Sequence, residues 1–279
     1  MLTSLHTLSL QGGHFTVEHL EKLTQLSSLS LISFDLHRGF VRPFCQLPPS
    51  LTSLNMASCA CCCAARITMS PLLHFQAHLQ SLTLGGSDML DLDNSAAKLS
   101  ALACLQQLTH LQFAMNGGEL NGCTELHFPK LQSLHAQFVN WPDVEYPHWH
   151  LGGCPELRTM TLLYYDDLQS EAPVVDLRGI HGCQLTSLHI ELHLAEYIRA
   201  LAAFDAWRLD AVSIGYVCSD PGIVYDRTEW PTSQSVRDIL GCLACHVPAS
   251  KVTVNGERVC DRIVKQRFPT ELQPPDTAV

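Results

Sequence analysis

Residues 26–31 read Leu26-Ser27-Ser28-Leu29-Ser30-Leu31. Aliphatic residues at the first, fourth and sixth places of a six-residue phrase do not follow the three-or-four step of a helix face. They suit a corner followed by a short strand. Side chains alternate across a strand, so the fourth and sixth places enter a core while the third and fifth face away from it. The phrase, with other apolar residues sometimes substituting, recurs nine times, with first places at residues 5, 26, 51, 79, 108, 131, 157, 185 and 209. Successive starts differ by 21, 25, 28, 29, 23, 26, 28 and 24 residues. All fall in the window of about 20 to 29 residues typical of stacked strand-and-return coils. A tenth, degraded copy sits at Ala249, Val252 and Val254.

Each buried leucine stabilises the fold by roughly 1.5–3 kcal/mol, yet one phrase cannot cover its own apolar face and needs a neighbour on each side. Between the phrases, three return segments carry apolar residues three or four apart behind a polar cap. One begins at Asn94 or Ser95 and runs through Leu99, Leu102 and Leu105; a second covers Ala195, Ile198, Leu201 and Ala202. The third follows Ser233 or Ser235 through Val236, Ile239, Leu240 and Leu243. These predict helices. Elsewhere Pro43, Pro48, Pro49, Pro142, Pro147 and Pro173 break any regular helix, so the returns are expected to mix helix, turn and loop.

The phrases, together with Cys154-Pro155-Glu156-Leu157 and Gly182-Cys183-Gln184-Leu185 ahead of a strand, resemble the leucine-rich-repeat superfamily. They lean toward its cysteine-containing intracellular branch, found in F-box substrate receptors. The resemblance spans about residues 1–254. It implies an α/β solenoid with a curved parallel sheet on the concave face and short helices and loops on the convex face. It also implies a surface for protein partners and, through the F-box receptors, substrate recognition in a ubiquitin ligase. The chain departs from the pattern where the family places Asn or Cys to bond the turning backbone. Those places hold Gly13, Phe34, Cys59, Ser87, Asn116, Val139, Tyr165, His193 and Val217, of which Cys59 and Asn116 conform. A less regular solenoid is the expectation. We read residues 1–260 as the solenoid and 261–279, polar and proline-containing, as a flexible tail. The first phrase begins only four residues after Met1, with no polar capping segment before it, and no F-box-like helical segment is read in the chain.

Composition narrows the function. With 27 acidic against 17 basic residues, the formal charge of −10 argues against a nucleic-acid backbone or an anionic membrane as the main partner. Thirteen cysteines, three of them adjacent at Cys61, Cys62 and Cys63, suit free thiols in a reducing, cytoplasmic compartment better than disulfides. The first residues carry no secretory-signal pattern, and no apolar run is long enough for a membrane helix.

Several constellations invite chemistry. Cys242, Cys245 and His246 match the C-x-x-C-H pattern of haem attachment, which makes a metal- or haem-binding protein the alternative reading, with a truncated repeat fragment as another. Recurrent cysteines elsewhere favour the plainer reading. Cys59 and Cys61–Cys63 lie too close together for a tetrahedral zinc site and read as small apolar filler. His148 and His150 bracket Trp149, and His189 and His193 flank Glu191, patterns that would suit a metal or a general base. No nucleophile triad, phosphate loop or paired-carboxylate motif has the required spacing, so the expectation is a non-enzyme without cofactor or metal.

The concave places are mostly Ser and Thr, against which His110, Gln112, His135 and His189 stand out. Large aromatic residues, the usual anchors of binding, are expected to cluster instead on loops just beyond the sixth to ninth strands. They are Trp141, Tyr146, Trp149, Tyr164, Tyr165 and Tyr216, with Asp166, Asp167, His189 and Glu191 nearby. This edge is expected to bind a protein of basic or amphipathic character, although the same rings would also plug gaps between irregular coils. The terminal Asp276-Thr277-Ala278-Val279 resembles a peptide captured by PDZ domains.

Overall fold

A computed structural model of the protein describes residues 4–13, 20–34, 47–57, 77–85, 102–116, 123–139, 148–150, 152–165, 183–192, 211–216, 251–254 and 257–258. At some strand positions, among them 123–125, 148–150, 164–165, 190–192 and 214–216, the backbone alone is described. The strands are β1 (Thr7–Gly13), β2 (Ser28–Phe34), β3 (Ser53–Met56), β4 (Ser81–Leu84), β5 (His110–Asn116), β6 (Cys123–Glu125), β7 (Ser133–Val139), β8 (His148–His150), β9 (Thr159–Tyr165), β10 (Ser187–Leu192), β11 (Ala211–Tyr216), β12 (Val252–Val254) and β13 (Glu257–Arg258). In all nine copies of the phrase the main strand opens at the third place, from Thr7 to Ala211.

These strands form one open sheet in the order β1-β2-β3-β4-β5-β7-β9-β10-β11-β12-β13, with β6 and β8 in a separate two-stranded sheet. Successive coils pair parallel, and the final β12–β13 pair is antiparallel. This is a solenoid-like repeat sheet: each coil adds one strand beside its predecessor, and the degraded tenth copy supplies β12. Register is maintained along the array. Leu8 aligns with Leu29, Leu29 with Leu54, Leu54 with Leu82, Leu82 with Leu111, and Leu111 with Leu134. The row continues through Met160 and Leu188 to Val212 and Val252.

Behind the sheet the first, fourth and sixth places merge into a continuous apolar core. Leu26, Leu51, Leu79, Leu131 and Leu157 at the corners are wholly buried, as are Leu29 and Leu82 in the strands. Phe113 lies opposite Ala136 in register, and both are fully buried, so a large ring beside a small side chain keeps the volume of that layer nearly constant. At β1 the same places are only half-buried: Leu8 and Leu10 are partly exposed, whereas Leu29 and Leu31 in β2 are enclosed.

The coils are also stitched by polar groups. At each described corner from β1 to β10 one carbonyl accepts two successive backbone N–H groups from the next coil. His6 O takes Ser27 N and Ser28 N at 2.9 and 3.0 Å, and Arg158 O takes Thr186 N and Ser187 N at 2.8 and 3.0 Å. A hydroxyl at the phrase's second place adds a third bond where one is present. Ser27, Thr52, Thr109 and Thr186 donate to the preceding coil at 3.1, 3.1, 3.0 and 3.2 Å. At the other end of the strands, where Asn or Cys is largely missing, the sheet simply runs on. Gly13 pairs with Phe34, and Asn116, Val139 and Tyr165 pair in series. Backbone groups that an asparagine ladder would satisfy are satisfied there by strand pairing.

Most return residues lie outside the described ones. The described parts hold a 3-10 turn at Leu20–Lys22 and helical Leu102, which falls in the first expected helix, whose residues 94–101 lie outside the described residues. The described entries into the strands are tight i→i+3 turns, closed by Leu26 N→Leu23 O, Leu51 N→Pro48 O, Leu108 N→Leu105 O and Leu157 N→Cys154 O at 2.9–3.2 Å. Prolines in such turns, Pro48 and Pro49 above all, cannot continue a helix. The helices expected over 195–202 and 233–243, and the tail at 261–279, lie outside the described residues.

Two leucines at equivalent places test this packing. Leu134→Ala, in the enclosed row, is expected to cost about 2–5 kcal/mol, and Leu10→Ala, on the half-open first strand, less than about 1.5 kcal/mol. Urea denaturation midpoints of the two variants measure the difference, and equal losses would contradict a core that opens at β1.

Candidate interaction face

The face of the sheet turned away from the core is built from the third and fifth places of the phrase. Its central row aligns Ser30 with Asn55, Asn55 with Thr83, Thr83 with Gln112, and Gln112 with His135. It then passes through Thr161 to His189 and Ser213. It mixes short hydroxyls at Ser30, Thr83, Thr161 and Ser213 with longer polar side chains at Asn55, Gln112, His135 and His189. Within the row Asn55 Nδ2 donates to Ser30 Oγ at 3.2 Å, while Asn55 Oδ1 accepts from Ala57 N at 3.0 Å, which locks that amide in place. His110 sits one row nearer the corners, its Nδ1 2.8 Å from Thr109 Oγ1. His135 and His189 are half-buried in the row, and Gln112 is exposed. Such a surface offers many hydrogen-bonding groups but few large apolar anchors.

The aromatic edge falls into parts. Tyr164 and Tyr165 close β9 and Tyr216 closes β11, so they belong to strands rather than to the loops beyond them. Register brings them to one end of the sheet: Leu192 is opposite Tyr216, and Glu191 is opposite both Leu163 and Gly215. Trp149 does not join this group. It lies in β8, opposite Thr124 in the separate ribbon. Trp141, Tyr146, Asp166 and Asp167 lie outside the described residues, as do Cys59, Cys61–Cys63, His193, Cys242, Cys245, His246 and Asp276–Val279.

A feature missed by sequence reasoning lies at the corner end of β3–β5. A shallow polar depression of about 410 Å³ is lined by Pro49, Ser50, Thr52, Ala77, His78, Gln80 and Gln107. It arises where the turn before one strand abuts the turn before the next, with Lys130 Nζ donating to Gln107 Oε1 at 2.6 Å beside it. The signal was present in the polar second place of the phrase, at Thr52 and Gln80. The shape depends on how neighbouring turns stack.

Cys104, Cys154 and Cys183 are thiols rather than disulfides. Cys154 is buried at the turn before β9, its Sγ directed to Leu126 O at 3.6 Å, and burial pushes its pKa from 9.0 up to about 11. Burial raises the Cys183 thiol too. Neither is an activated nucleophile. Among the described residues, no group of three or more His, Cys, Asp and Glu gathers to hold a metal ion. Among the described residues, no helix is long and apolar enough to cross a membrane. No protein-family model matches the chain, and comparison with curated proteins finds no match.

At about pH 8 roughly one Cys154 in a thousand is thiolate, against about one in ten for a thiol with its pKa at 9.0. In the folded protein Cys154 is therefore expected to alkylate about a hundredfold more slowly than in urea, read by mass spectrometry of iodoacetamide-treated chain. The same shift has a pH signature. Below pH 9.0 the thiol is protonated in both states, so its contribution is intact; between 9.0 and about 11 the unfolded chain ionises first, and stability falls. A urea midpoint flat across that window would refute the assignment.

Proposed function

We propose that the chain is a leucine-rich-repeat solenoid acting as a protein–protein interaction module, with its partner engaged at the end of the sheet where β9, β10 and β11 finish. The observation that carries this reading is the alignment of strand ends. Tyr165 ends β9, Tyr216 ends β11 opposite Leu192, and Glu191 lies one residue back on the strand between them. Asp166 and Asp167 follow Tyr165 directly in the chain, so aromatic and acidic residues converge in sequence and in register. Tyrosine supplies a large contact area at low entropic cost, and carboxylates beside it favour a basic or amphipathic partner. The row of Ser, Thr, Gln and His on the outward face supplies polar complementarity around such anchors.

Support for the module reading also comes from its economy. Inward places are committed to the core, while outward places of every coil vary without cost to it, which leaves them available for recognition. A role as the substrate-recognition part of a ubiquitin ligase rests on the resemblance of the phrases and their cysteines to F-box receptors. A cytoplasmic setting, a protein partner rather than nucleic acid or membrane, and the absence of catalysis belong to the same reading, drawn from charge, thiol content and missing motifs.

A fluorescently labelled, Lys/Arg-rich amphipathic helical peptide serves as the probe. It is expected to bind the full chain, to weaken as salt rises, and to lose about tenfold in affinity to the Asp166→Lys, Asp167→Lys variant, a change of about 1.4 kcal/mol. A Ser53→Lys control on the far side of the sheet should leave more affinity than the double reversal does. Anisotropy titrations indifferent to the reversal would remove this edge from the reading.

A further inference from the structure

The main sheet finishes differently at its two ends. At one, β12 turns back into β13, whose two residues, Glu257 and Arg258, run antiparallel to it. A short charged strand is a poor template for further pairing. At the other stands β1, Thr7-Leu8-Ser9-Leu10-Gln11-Gly12-Gly13, and among the described residues no strand lies beyond it. It is seven residues long and carries neither charge nor proline, the devices that usually blunt a sheet edge. Its core side is open as well. Leu5, Leu8 and Leu10 are half-buried, whereas Leu26, Leu29 and Leu31, their counterparts one coil on, are at most 1 % exposed.

One bond fixes which way the backbone groups of β1 face. His6 O accepts Ser28 N from the next coil, so the carbonyl of residue 6 is turned to β2. Backbone groups alternate between the two edges of a strand, which turns those of Leu8 and Leu10 toward β2 and those of Thr7, Ser9 and Gln11 toward the open edge. That edge is self-complementary. An antiparallel copy centred on Ser9 sets Ser9 against Ser9, Thr7 against Gln11, and Leu8 against Leu10. The Ser–Ser and Thr–Gln pairs are those whose N–H and C=O groups meet, giving about six interstrand bonds. Leucine then meets leucine on the core side, at the closely spaced positions between those bonds, and hydroxyl meets hydroxyl on the outward face.

We propose that the chain forms a two-fold dimer through β1, paired antiparallel with β1 of a second copy about an axis at Ser9. A second copy is the occupant that suits both ends of the sheet. Head-to-tail stacking would have to seat β1 on the short charged β13, whereas two open ends satisfy each other and close the assembly at two. The joined sheet would carry the leucine row of β1 and β2 across the axis into the other copy. The interface lies at the other end of the array from β9–β11 and does not rest on partner binding there. Contact over one strand is small, so exchange in the micromolar range is expected rather than permanent assembly.

Sedimentation velocity of the full chain, from about 1 to about 100 µM, tests this, with monomer expected at the dilute end and dimer at the concentrated end. Ser9 is exposed on the outward face, so Ser9→Lys spares the core of the monomer yet sets two ammonium groups against each other at the axis. It should raise the dissociation constant at least about tenfold and leave the melting temperature of the dilute chain unchanged. Ser9→Glu should behave alike, and an equimolar mixture of the two variants should regain the dimer. Cross-rescue of this kind requires the two residues 9 to face each other. Gln106→Lys, at an exposed place in the turn before β5, should change nothing. A chain monomeric throughout, a dimer indifferent to Ser9→Lys, a mixture that stays monomeric, or a mass that climbs past two copies overturns the proposal.

Discussion

An isolated coil of this protein has no way to hide its leucines. Leu54 or Leu134 is enclosed because the coils on either side present a leucine or methionine at the same height, and that coincidence of height is what parallel register means here. A shift of one residue between neighbours would turn a whole coil's apolar set to the wrong side. The paired N–H groups converging on one carbonyl at the described corners hold the register where the strands from β2 to β10 begin. Hydrophobic burial supplies most of the stabilisation, and the corner hydrogen bonds decide how the burial is aligned.

Much of this was legible in the chain. The start of each main strand, the identity of the buried leucines at 29, 54, 82, 111, 134 and 188, and even the weak copy ending at Val254 follow from the phrase and the two-residue period of a strand. The turns that lead into the strands were less legible. Leu105 continues the apolar spacing of the expected helix yet lies in a tight turn, where it and Phe128, which no helix or strand period marks, fill the space under a corner. Nor could composition reveal how the missing asparagines are replaced. Strand extension through Val139 and Tyr165 depends on pairing between distant segments, which no local pattern encodes.

The candidate sites divide in the same way. Tyr165, Glu191 and Tyr216 were noticed as residue types in neighbouring repeats, and register brings them to a common end of the sheet. Trp149 looked alike in sequence but belongs to another ribbon, because an extra strand, β8, interrupts that return. His148 and His150 were noticed as a pair without partners. Cys123 and Glu125, 25 residues earlier, come opposite them only through the pairing of β6 with β8.

Strand length is uneven along the array. β1, β2, β5, β7 and β9 have seven residues each, whereas β3 and β4 have four, and the β2–β3 junction is paired over three residues while β5–β7 is paired over seven. In a linear chain of nearest-neighbour couplings, the narrowest junction sets where cooperativity breaks. Junctions of three or four pairs run from β2 to β5 and return at β11–β12, while those from β5 to β11 hold five to seven. The narrow junctions thus flank a broad block from β5 to β11, which can keep its shape while both ends breathe.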